Sequence, residues 1–347
     1  MDVRLVYNPV AGRYDAGKAL QRVIDFLQAQ GWEVSVSRTQ GPGDATVYAR
    51  EAVKEGADIV VAVGGDGTLG EVASGLAHSD CALGVLPVGT GNVWAHMLGL
   101  PVWTPNRPSA LLEAARTLVE GKRFPIDLGQ MGNRYFVLWT GVGFDAQVVH
   151  DVEPHRELRR QFGNLAYFVT AITLSLQLRG TPVTVSVDGK MTQQRAVLIL
   201  VTNVQFYGRP WRVAPEARMD DGLLEVYIFK GGGTLNVVGH VVSVLRGRQL
   251  HNPNIEVHHG REVVIRSEKP LPVHVDGDPA GYTPITISVM PKTLQVIVPP
   301  SSSDFLFGDA KASDARRVAL GQRILDNLRE RRQHLLGEKS AKGKAIV

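Results

Sequence analysis

The sequence is poor in cysteine and contains no long apolar run. Its single cysteine, Cys81, excludes an intramolecular disulfide and a four-thiolate zinc site, and it favours a reducing compartment. The longest strongly apolar stretch, near 165–178, is interrupted by polar residues and is shorter than the roughly 20 residues that span a membrane. Residues 1–10 lack a signal-peptide pattern because the second residue is acidic and Asn8-Pro9 favours a turn. We therefore expect a soluble, cytoplasmic protein that can still touch the inner membrane surface.

The charged residues are distributed unevenly along a chain of otherwise ordinary composition. A length of 347 residues corresponds to about two domains, and 44% hydrophobic with 21% charged residues is typical of a globular protein. The formal net charge is +4, but ten basic and only four acidic residues lie within 311–347, so the rest of the chain is slightly acidic. Basic and aromatic residues are not interleaved elsewhere, which argues against a nucleic-acid partner.

The basic C-terminal region shows helical spacing. Apolar residues recur there near the intervals of one helix face, at Leu320, Ile324, Leu328 and Leu335. We predict a helix within 304–337 that returns to pack on the first domain, followed by a flexible basic tail over 338–347. The alternative is a helix attracted to anionic lipid.

Strands and helices alternate through the first 127 residues. The pattern predicts strands at Val3–Tyr7, Glu33–Arg38, Asp58–Val63 and Ala82–Leu86 and helices at Asp44–Glu55, Thr68–Ala77 and Ser109–Glu120. Ser109 is the expected N-cap of the last helix. Alternation of this kind predicts an N-terminal α/β nucleotide-binding domain over 1–127, with a parallel sheet covered by helices.

Strands dominate the region from residue 128 to residue 300. Helices are expected there only at His155–Leu178 and Leu235–Gly247. The predicted strands are Arg134–Thr140, Pro182–Asp188, Ala196–Asn203, Leu223–Phe229, Ile255–His259, Val263–Ser267, Val273–Asp276, Ile285–Met290 and Leu294–Val298. Many short strands separated by turns indicate a mainly antiparallel β-sandwich domain over 128–300.

Three glycine-containing loops follow predicted parallel strands, at Asn8–Gly12, Gly64–Thr68 and Pro87–Asn92. Because the carboxyl ends of parallel strands meet at one edge of a sheet, we expect the loops to converge on one crevice. Glycine lets backbone N–H groups approach phosphate oxygens, and a following helix N-terminus adds further donors. Asp66, at the centre of the second loop, would act as a base or in a magnesium network near the phosphates.

A dinucleotide site is the competing interpretation of the second loop. Gly65, Gly67 and Gly70 satisfy the G-x-G-x-x-G pattern after a strand. That fingerprint also requires an acidic residue at the end of the next strand to hold a ribose. Residues 87–92 provide none, so the pattern favours a nucleoside triphosphate.

Several short motifs follow one another in a fixed order. They are Asn8-Pro9 with Gly12, Thr39 with Gly43-Asp44-Ala45, Gly64–Thr68, Gly89–Asn92, Leu98-Gly99-Leu100-Pro101, Gly141–Ala146, Asp221-Gly222-Leu223 and Asp276-Gly277-Asp278. This ordered set, spread over most of the chain, resembles the diacylglycerol kinase catalytic-domain lipid kinases, which include sphingosine kinases. The resemblance implies an ATP-dependent kinase that phosphorylates a lipid hydroxyl at a membrane surface, with ATP bound between the two domains.

The resemblance also implies roles for individual residues. Asp278 would accept the proton of the lipid hydroxyl, with Asp66 and Asp276 as further catalytic carboxylates. A structural Mg²⁺ would be held by Asp221 with the carbonyl oxygens of Arg218 and Leu223, since oxygen ligands suit this hard ion. The nucleotide would be lined by Asn8, Pro9, Val10, Ala11, Gly12, Thr39, Gly65, Asp66, Gly67, Thr68, Leu69, Gly70, Glu71 and Thr90.

Two positions depart from the family's pattern and leave open which substrate accepts the phosphoryl group. Asp278 stands where the motif usually has Glu, and Val93 stands where many bacterial diacylglycerol kinases carry Asp. Valine at that position is slightly closer to the sphingosine-kinase pattern. The alternatives are a sphingoid-base kinase, a nicotinamide-dinucleotide kinase acting on a soluble ribose, and a non-catalytic relative that binds nucleotide or lipid. A homodimer remains one option for the oligomeric state.

Overall fold

The two halves of the chain are joined in one sheet. The structure, a computed structural model, describes residues 1–144, 146, 180–208 and 211–300. Within these residues the helices are α1 Gly17–Ala29, α2 Asp44–Lys54, α3 Asp66–Leu76, α4 Val93–Met97, α5 Ala110–Glu120 and α6 Thr234–Leu245. The strands are β1 Asp2–Tyr7, β2 Glu33–Arg38, β3 Ile59–Gly64, β4 Ala82–Pro87, β5 Lys122–Met131, β6 Arg134–Phe136, β7 Trp139–Gly143, β8 Thr181–Val187, β9 Lys190–Thr202, β10 Leu224–Lys230, β11 Ile255–Gly260, β12 Glu262–Ser267, β13 Pro272–Val275, β14 Asp278–Tyr282 and β15 Ile285–Val298.

The N-terminal half is the predicted parallel α/β unit. Strands run in the order β4-β3-β1-β2 and pair in parallel. Every residue of β3 and β4 is buried, because helices cover both faces of the sheet. Leu20 of α1 and Leu111 of α5 pack on one face, whereas Ala49 of α2 and Leu69 of α3 pack on the other. This arrangement places the carboxyl ends of β1, β3 and β4 side by side.

The C-terminal half is a mainly antiparallel, sandwich-like β unit, which confirms the predicted fold class. Strands β7, β8 and β10 each pair antiparallel with the long strand β9. Alternate residues of β8 point inward, as Val183, Val185 and Val187 do, and join a core of branched aliphatic side chains. That alternation is expected of a strand with one buried face.

Strand β15 belongs to both halves. Its first residues pair antiparallel with β12, its last residues pair in parallel with β4, and β5 lies antiparallel along nearly all of it. The prediction of two separate strands here is wrong, because a register shift between Met290 and Leu294 bends one continuous strand instead of ending it. The division of the chain at 127/128 stays a prediction.

Two further local predictions are wrong. Ser109 makes no side-chain cap to α5, and its hydroxyl donates to the Glu113 carboxylate at 2.8 Å instead. The stretch 134–140 forms two strands, β6 and β7, because the N–H groups of Val137, Leu138 and Trp139 bond to the carboxylate of Asp276. Strands β5 and β14 were not predicted.

Two predicted helices, at 155–178 and 304–337, lie outside the described residues, as does the tail 338–347. Among the residues that the structure describes, no helix is long and apolar enough to cross a membrane.

The fully buried carboxylate of Asp127, in β5, bonds to two other segments of the chain. Asp127 accepts hydrogen bonds from the N–H of Lys292 at 2.8 Å and the N–H of Gly222 at 2.6 Å. Burial raises the pKa of the Asp127 carboxyl, and these two N–H groups act in the opposite direction. One acidic side chain therefore holds the bend of β15 and the loop before β10.

Replacing Asp127 by Asn should lower the free energy of unfolding by about 1–3 kcal/mol, because an amide NH₂ would face a backbone N–H that needs an acceptor. Urea denaturation measures the loss. The exposed Asp80→Asn is the matched control and should stay within about 0.5 kcal/mol of the wild type. Equal midpoints for the two variants would contradict the assigned role.

Candidate active site

The structure brings the three glycine-containing loops into direct contact. The loops leave β1, β3 and β4 at the same edge of the sheet. A Cβ added at Gly12, whose φ is +74°, would collide with the carbonyl oxygen of Val88, and one added at Gly89 would collide with the Cα of Gly65. The backbones of the three loops therefore meet closely at the N-terminus of α3.

Side chains fix the loops to each other. Asn8 donates from Nδ2 to the hydroxyl of Thr68 at 3.0 Å and accepts at Oδ1 from the N–H of Val10 at 3.1 Å. In the third loop, Asn92 is buried and exchanges two hydrogen bonds with the backbone of Gly89. The first and second loops are thus joined through side chains, and the third is closed on itself.

Asp66 links the second loop to α4. It is the first residue of α3, and its carboxylate accepts from the N–H of Val93 at 3.0 Å and the N–H of Trp94 at 3.2 Å. Burial raises the pKa of Asp66, and the N–H donors act against that rise. Val93 takes part through its backbone, while its side chain is buried in the core. Asp66 therefore serves as an acceptor for the first turn of α4, where a negative charge is favourable.

Asp276 approaches the same place from the other half of the chain. It forms, with Gly277, the two-residue turn between β13 and β14, and both residues have positive φ, +48° and +89°, as a type I′ turn requires. Its carboxylate accepts from the three consecutive N–H groups of Val137, Leu138 and Trp139 at 2.9–3.0 Å.

The environment of Asp276 makes it a partner of Asp66. Burial raises the pKa of Asp276 to about 6, with a smaller contribution from the charge of Asp66, while the three N–H groups act in the opposite direction. Oδ2 of Asp276 lies 3.2 Å from where a Cβ on Gly70 would stand, so the carboxylate lies against α3. Two acidic side chains from different halves of the chain therefore lie along the first turns of α3.

Asp278 has a different environment, although it is only two residues away. It begins β14, its side chain is 47% exposed, and its Oδ2 lies 3.8 Å from Nη2 of Arg134. Arg134 also donates to the carbonyl oxygen of Pro279 at 3.0 Å. The structure thus places Asp66 and Asp276 beside α3 and places Asp278 beside a cation. The role predicted for Asp278 as proton acceptor stays a prediction.

The remaining predicted nucleotide residues occupy varied positions. Glu71 binds the N–H groups of Gly43 and Ala45 at 3.0 and 3.1 Å, so its carboxylate holds the start of α2. Leu69 is buried in the core and contributes packing. Thr39 is also buried, and its N–H bonds to the carbonyl oxygen of Tyr7. The other predicted nucleotide residues are partly or fully exposed, namely Pro9, Val10, Ala11, Gly65, Gly67, Gly70 and Thr90.

The predicted magnesium residues lie in the loop between β9 and β10. Asp221 is buried there, and its Oδ1 accepts from the N–H of Leu223 at 3.2 Å. The predicted ligands, one carboxylate and the carbonyls of Arg218 and Leu223, are all oxygens and fit Mg²⁺ in chemistry. In the described part of the chain, no group of three or more His, Cys, Asp and Glu side chains is placed to hold a metal ion.

Two carboxylates that organise the site were not predicted as site residues. Asp127 could have been recognised as the one acidic residue within the apolar segment 126–128. Asp44 accepts from the N–H groups of Gln40 and Gly41, which lowers the pKa of its carboxyl. Asp44 therefore shapes the loop before α2, and Glu71 bonds to N–H groups at the end of the same loop.

Two family models match the chain. Residues 2–131 match the diacylglycerol kinase catalytic domain, and residues 139–298 match the YegS C-terminal NAD kinase beta sandwich-like domain. Among curated proteins, a diacylglycerol kinase of Bacillus subtilis (strain 168) is 32% identical over 305 residues, which cover 87% of this chain and 98% of that protein. A diacylglycerol kinase of Staphylococcus carnosus (strain TM300) is 28% identical over 85% of this chain and 94% of its own.

Solved structures share the fold. The crystal structure of a diacylglycerol kinase from Bacillus anthracis strain Sterne is 22% identical and superposes with a TM-score of 0.64. A second crystal structure from the same strain is 24% identical with a TM-score of 0.71. Each match covers 87% of this chain and 98% of the other.

The effect of the Asp66 charge on the titration of Asp276 can be measured directly. Asp66→Asn removes the charge that helps to raise the pKa of Asp276, so that pKa should fall below about 6. A ¹³C NMR titration of the aspartate carboxyl carbons measures it. Asp278→Asn is the control and should leave the Asp276 titration unchanged. The same Asp276 midpoint in wild type and Asp66→Asn would show that the two groups are not coupled.

Proposed function

Since this chain belongs to the diacylglycerol kinase catalytic-domain family of kinases, we propose that it transfers the γ-phosphoryl group of ATP to a hydroxyl of diacylglycerol or a related lipid. One observation carries the proposal. Three glycine-containing loops meet at one sheet edge, and Asp66 and Asp276, which come from different halves of the chain, lie along the helix α3 that starts there. Phosphoryl transfer requires mainly positioning and charge neutralisation, which such an arrangement supplies.

The nucleotide binds at the loop edge in this proposal. The loop Gly65–Thr68 and the first turn of α3 present N–H groups and the positive end of the helix to phosphate oxygens. The loop Asn8–Gly12, whose Asn8, Val10 and Ala11 N–H groups bond within the protein, forms the wall beside them. The Asn8–Thr68 hydrogen bond keeps these two loops in register before ATP arrives. Pre-organisation of this kind reduces the entropy lost on binding.

The carboxylates divide the remaining tasks. Mg²⁺, when bound, neutralises charge on the phosphates, and Asp66 and Asp276 supply carboxylate oxygens that it or its water ligands can meet. The lipid hydroxyl oxygen attacks the γ-phosphorus, the bond to the bridging oxygen of ADP breaks, and Asp278 accepts the hydroxyl proton. Asp278 suits this task because its side chain is half exposed and can be reached by an acceptor that enters from solvent or lipid.

Asp278→Asn should lower kcat by about 10²–10⁴-fold because the acceptor for the proton is lost. The KM for ATP should change little, since the loops of the first half bind the nucleotide. Asp278→Glu keeps the charge and should retain measurable activity. A loss of about tenfold or less at Asp278, beside a near-total loss for Asp66→Asn, would assign the base to the buried pair instead.

The proposed reaction is tested by incubating the full chain with γ-³²P-ATP and a total lipid extract, then identifying the labelled product. A labelled phosphatidic acid supports diacylglycerol as the acceptor, and a labelled sphingoid base supports the sphingoid-base alternative. Tight ATP binding without label in any lipid would overturn the proposal.

Gly89→Ala tests whether the contact between the second and third loops organises the nucleotide site. The new Cβ would collide with Gly65 Cα, and relieving such a clash costs about 1–3 kcal/mol. Affinity for ATP should therefore fall by about fivefold or more, as measured by isothermal titration calorimetry. Gly41→Ala, where nothing lies within 4 Å of the added Cβ, is the control and should bind ATP normally. Normal ATP binding by Gly89→Ala would remove the contact from the proposal.

A nicotinamide-dinucleotide kinase is the second candidate. Residues 139–298 match a family model for an NAD kinase beta sandwich-like domain, and this match favours the second candidate. NAD in the same ³²P assay, without lipid or detergent, separates the two: label in the dinucleotide supports this candidate, and label confined to lipid excludes it.

A further inference from the structure

Helix α6 is apolar on its outer face as well as on its inner face, where Val237 and Val244 pack against the core. Its polar side chains Asn236 and His240 turn inward and bond to the carbonyl oxygens of Gly232 and Lys230. Its outer face carries Leu235, Val238, Val242 and Leu245, which are 90, 52, 36 and 61% exposed. A helix that packs on a globular protein normally presents polar side chains to solvent.

The exposed side chains form one stripe. At about 100° per residue, positions 235, 238, 242 and 245 fall within roughly 80° of the helix circumference and extend over about 15 Å. We call these four residues the α6 stripe. Single exposed apolar residues are common on protein surfaces, but a contiguous row marks an interaction surface.

The charges around the stripe indicate which partner it meets. Arg246 and Arg248 follow the helix and are exposed, and no Asp or Glu occurs from residue 231 to residue 255. Two copies of the chain packed through this stripe would bring their arginines together without an acidic partner from this segment. An anionic bilayer complements both features, because its headgroups attract the arginines and its acyl region accepts the apolar side chains.

We propose that α6 lies in the interface of an anionic phospholipid membrane, with the α6 stripe inserted among the acyl chains and with Arg246 and Arg248 at the headgroups. This inference rests on the proposed function, since a lipid acceptor resides in a bilayer, and it names the surface by which the kinase reaches that bilayer. Each inserted leucine removes apolar area from water, which is the main source of such binding.

Flotation of the full chain with vesicles tests the stripe. With equal parts of phosphatidylglycerol and phosphatidylcholine, Leu235→Ser/Leu245→Ser should bind at least about tenfold more weakly than the wild type. Met191→Ser is the matched control, because Met191 is 75% exposed on β9, outside the stripe, and should bind normally. Wild-type binding by the double variant would overturn the proposal.

The arginines are tested separately. Arg246→Gln/Arg248→Gln should weaken binding by about fivefold for each charge removed and should reduce its salt dependence. Arg266→Gln, an exposed arginine on β12, is the control and should leave both unchanged. Equal salt dependence in wild type and double variant would contradict the headgroup contact.

Three further measurements distinguish insertion of the stripe into a membrane from its contact with a second copy of the chain and from its contact with another part of the same chain. They also separate failure of the membrane proposal from failure of the proposed lipid kinase activity. Loss of a dimer in sedimentation velocity, with unchanged flotation of Leu235→Ser/Leu245→Ser, would assign the stripe to a second copy and overturn the membrane proposal. A lower Tm with unchanged flotation would assign the stripe to another part of this chain and would likewise overturn the proposal.

Phosphorylation of a short-chain, water-soluble diacylglycerol should be equal in wild type and double variant. If the wild type phosphorylates no lipid yet floats through the stripe, the proposed function fails and the membrane surface stands.

Discussion

The hydrogen bonds to the carboxylate of Asp276 determine how the two halves of the chain form one site. Three consecutive N–H groups, from Val137 to Trp139, bond to this carboxylate where they would otherwise need partners in the sheet. The same contact divides β6 from β7 and fixes the turn between β13 and β14. It also holds the carboxylate against α3, where loss of contact with water raises the pKa of Asp276 to about 6 although the three N–H groups act in the opposite direction.

The loop edge depends on a complementary constraint, close approach of backbone to backbone. The contacts of Gly12 with Val88 and of Gly89 with Gly65 leave no room for side chains, so the edge is lined by peptide groups. Peptide N–H groups carry no net charge and cannot be titrated, which suits them to hold phosphate over a wide pH range. The acidic groups are left at the centre and on the opposite wall of the crevice.

Local patterns predicted the first half of the fold well. The apolar run at 58–63 identified β3 to within one residue, because a strand buried on both faces is a continuous apolar run. Strand β2, which is largely exposed, was predicted with its observed bounds from the alternation of its residues. Strand β5 was missed because it begins with two basic residues and contains Pro125, so it lacks the usual alternation. Its formation depends on pairing with β15, a partner more than 150 residues away that no local pattern reveals.

The sequence was enough to predict which loops form the candidate site, but not which contacts surround each of its acidic side chains. Glycine spacing after strands was enough to bring Asn8–Gly12 and Gly64–Thr68 together, because topology alone places them at one edge. Nothing local distinguishes Asp276 from Asp278, which share one turn motif. Only tertiary contacts decide that one is enclosed by backbone donors while the other stands beside Arg134.

Strand β15 limits how the molecule can move. A hinge between the halves would have to break its pairing with β4 or β12, and β5 reinforces both ends. Each ladder hydrogen bond contributes about 0.5–1.5 kcal/mol, and the loss of several would be comparable with the whole stability of a domain. These strand pairings therefore oppose a rotation that would separate the two halves. If a ligand bound at the loop edge were enclosed and shielded from water, movement of the short loops there would disturb fewer of these pairings than rotation of one half against the other.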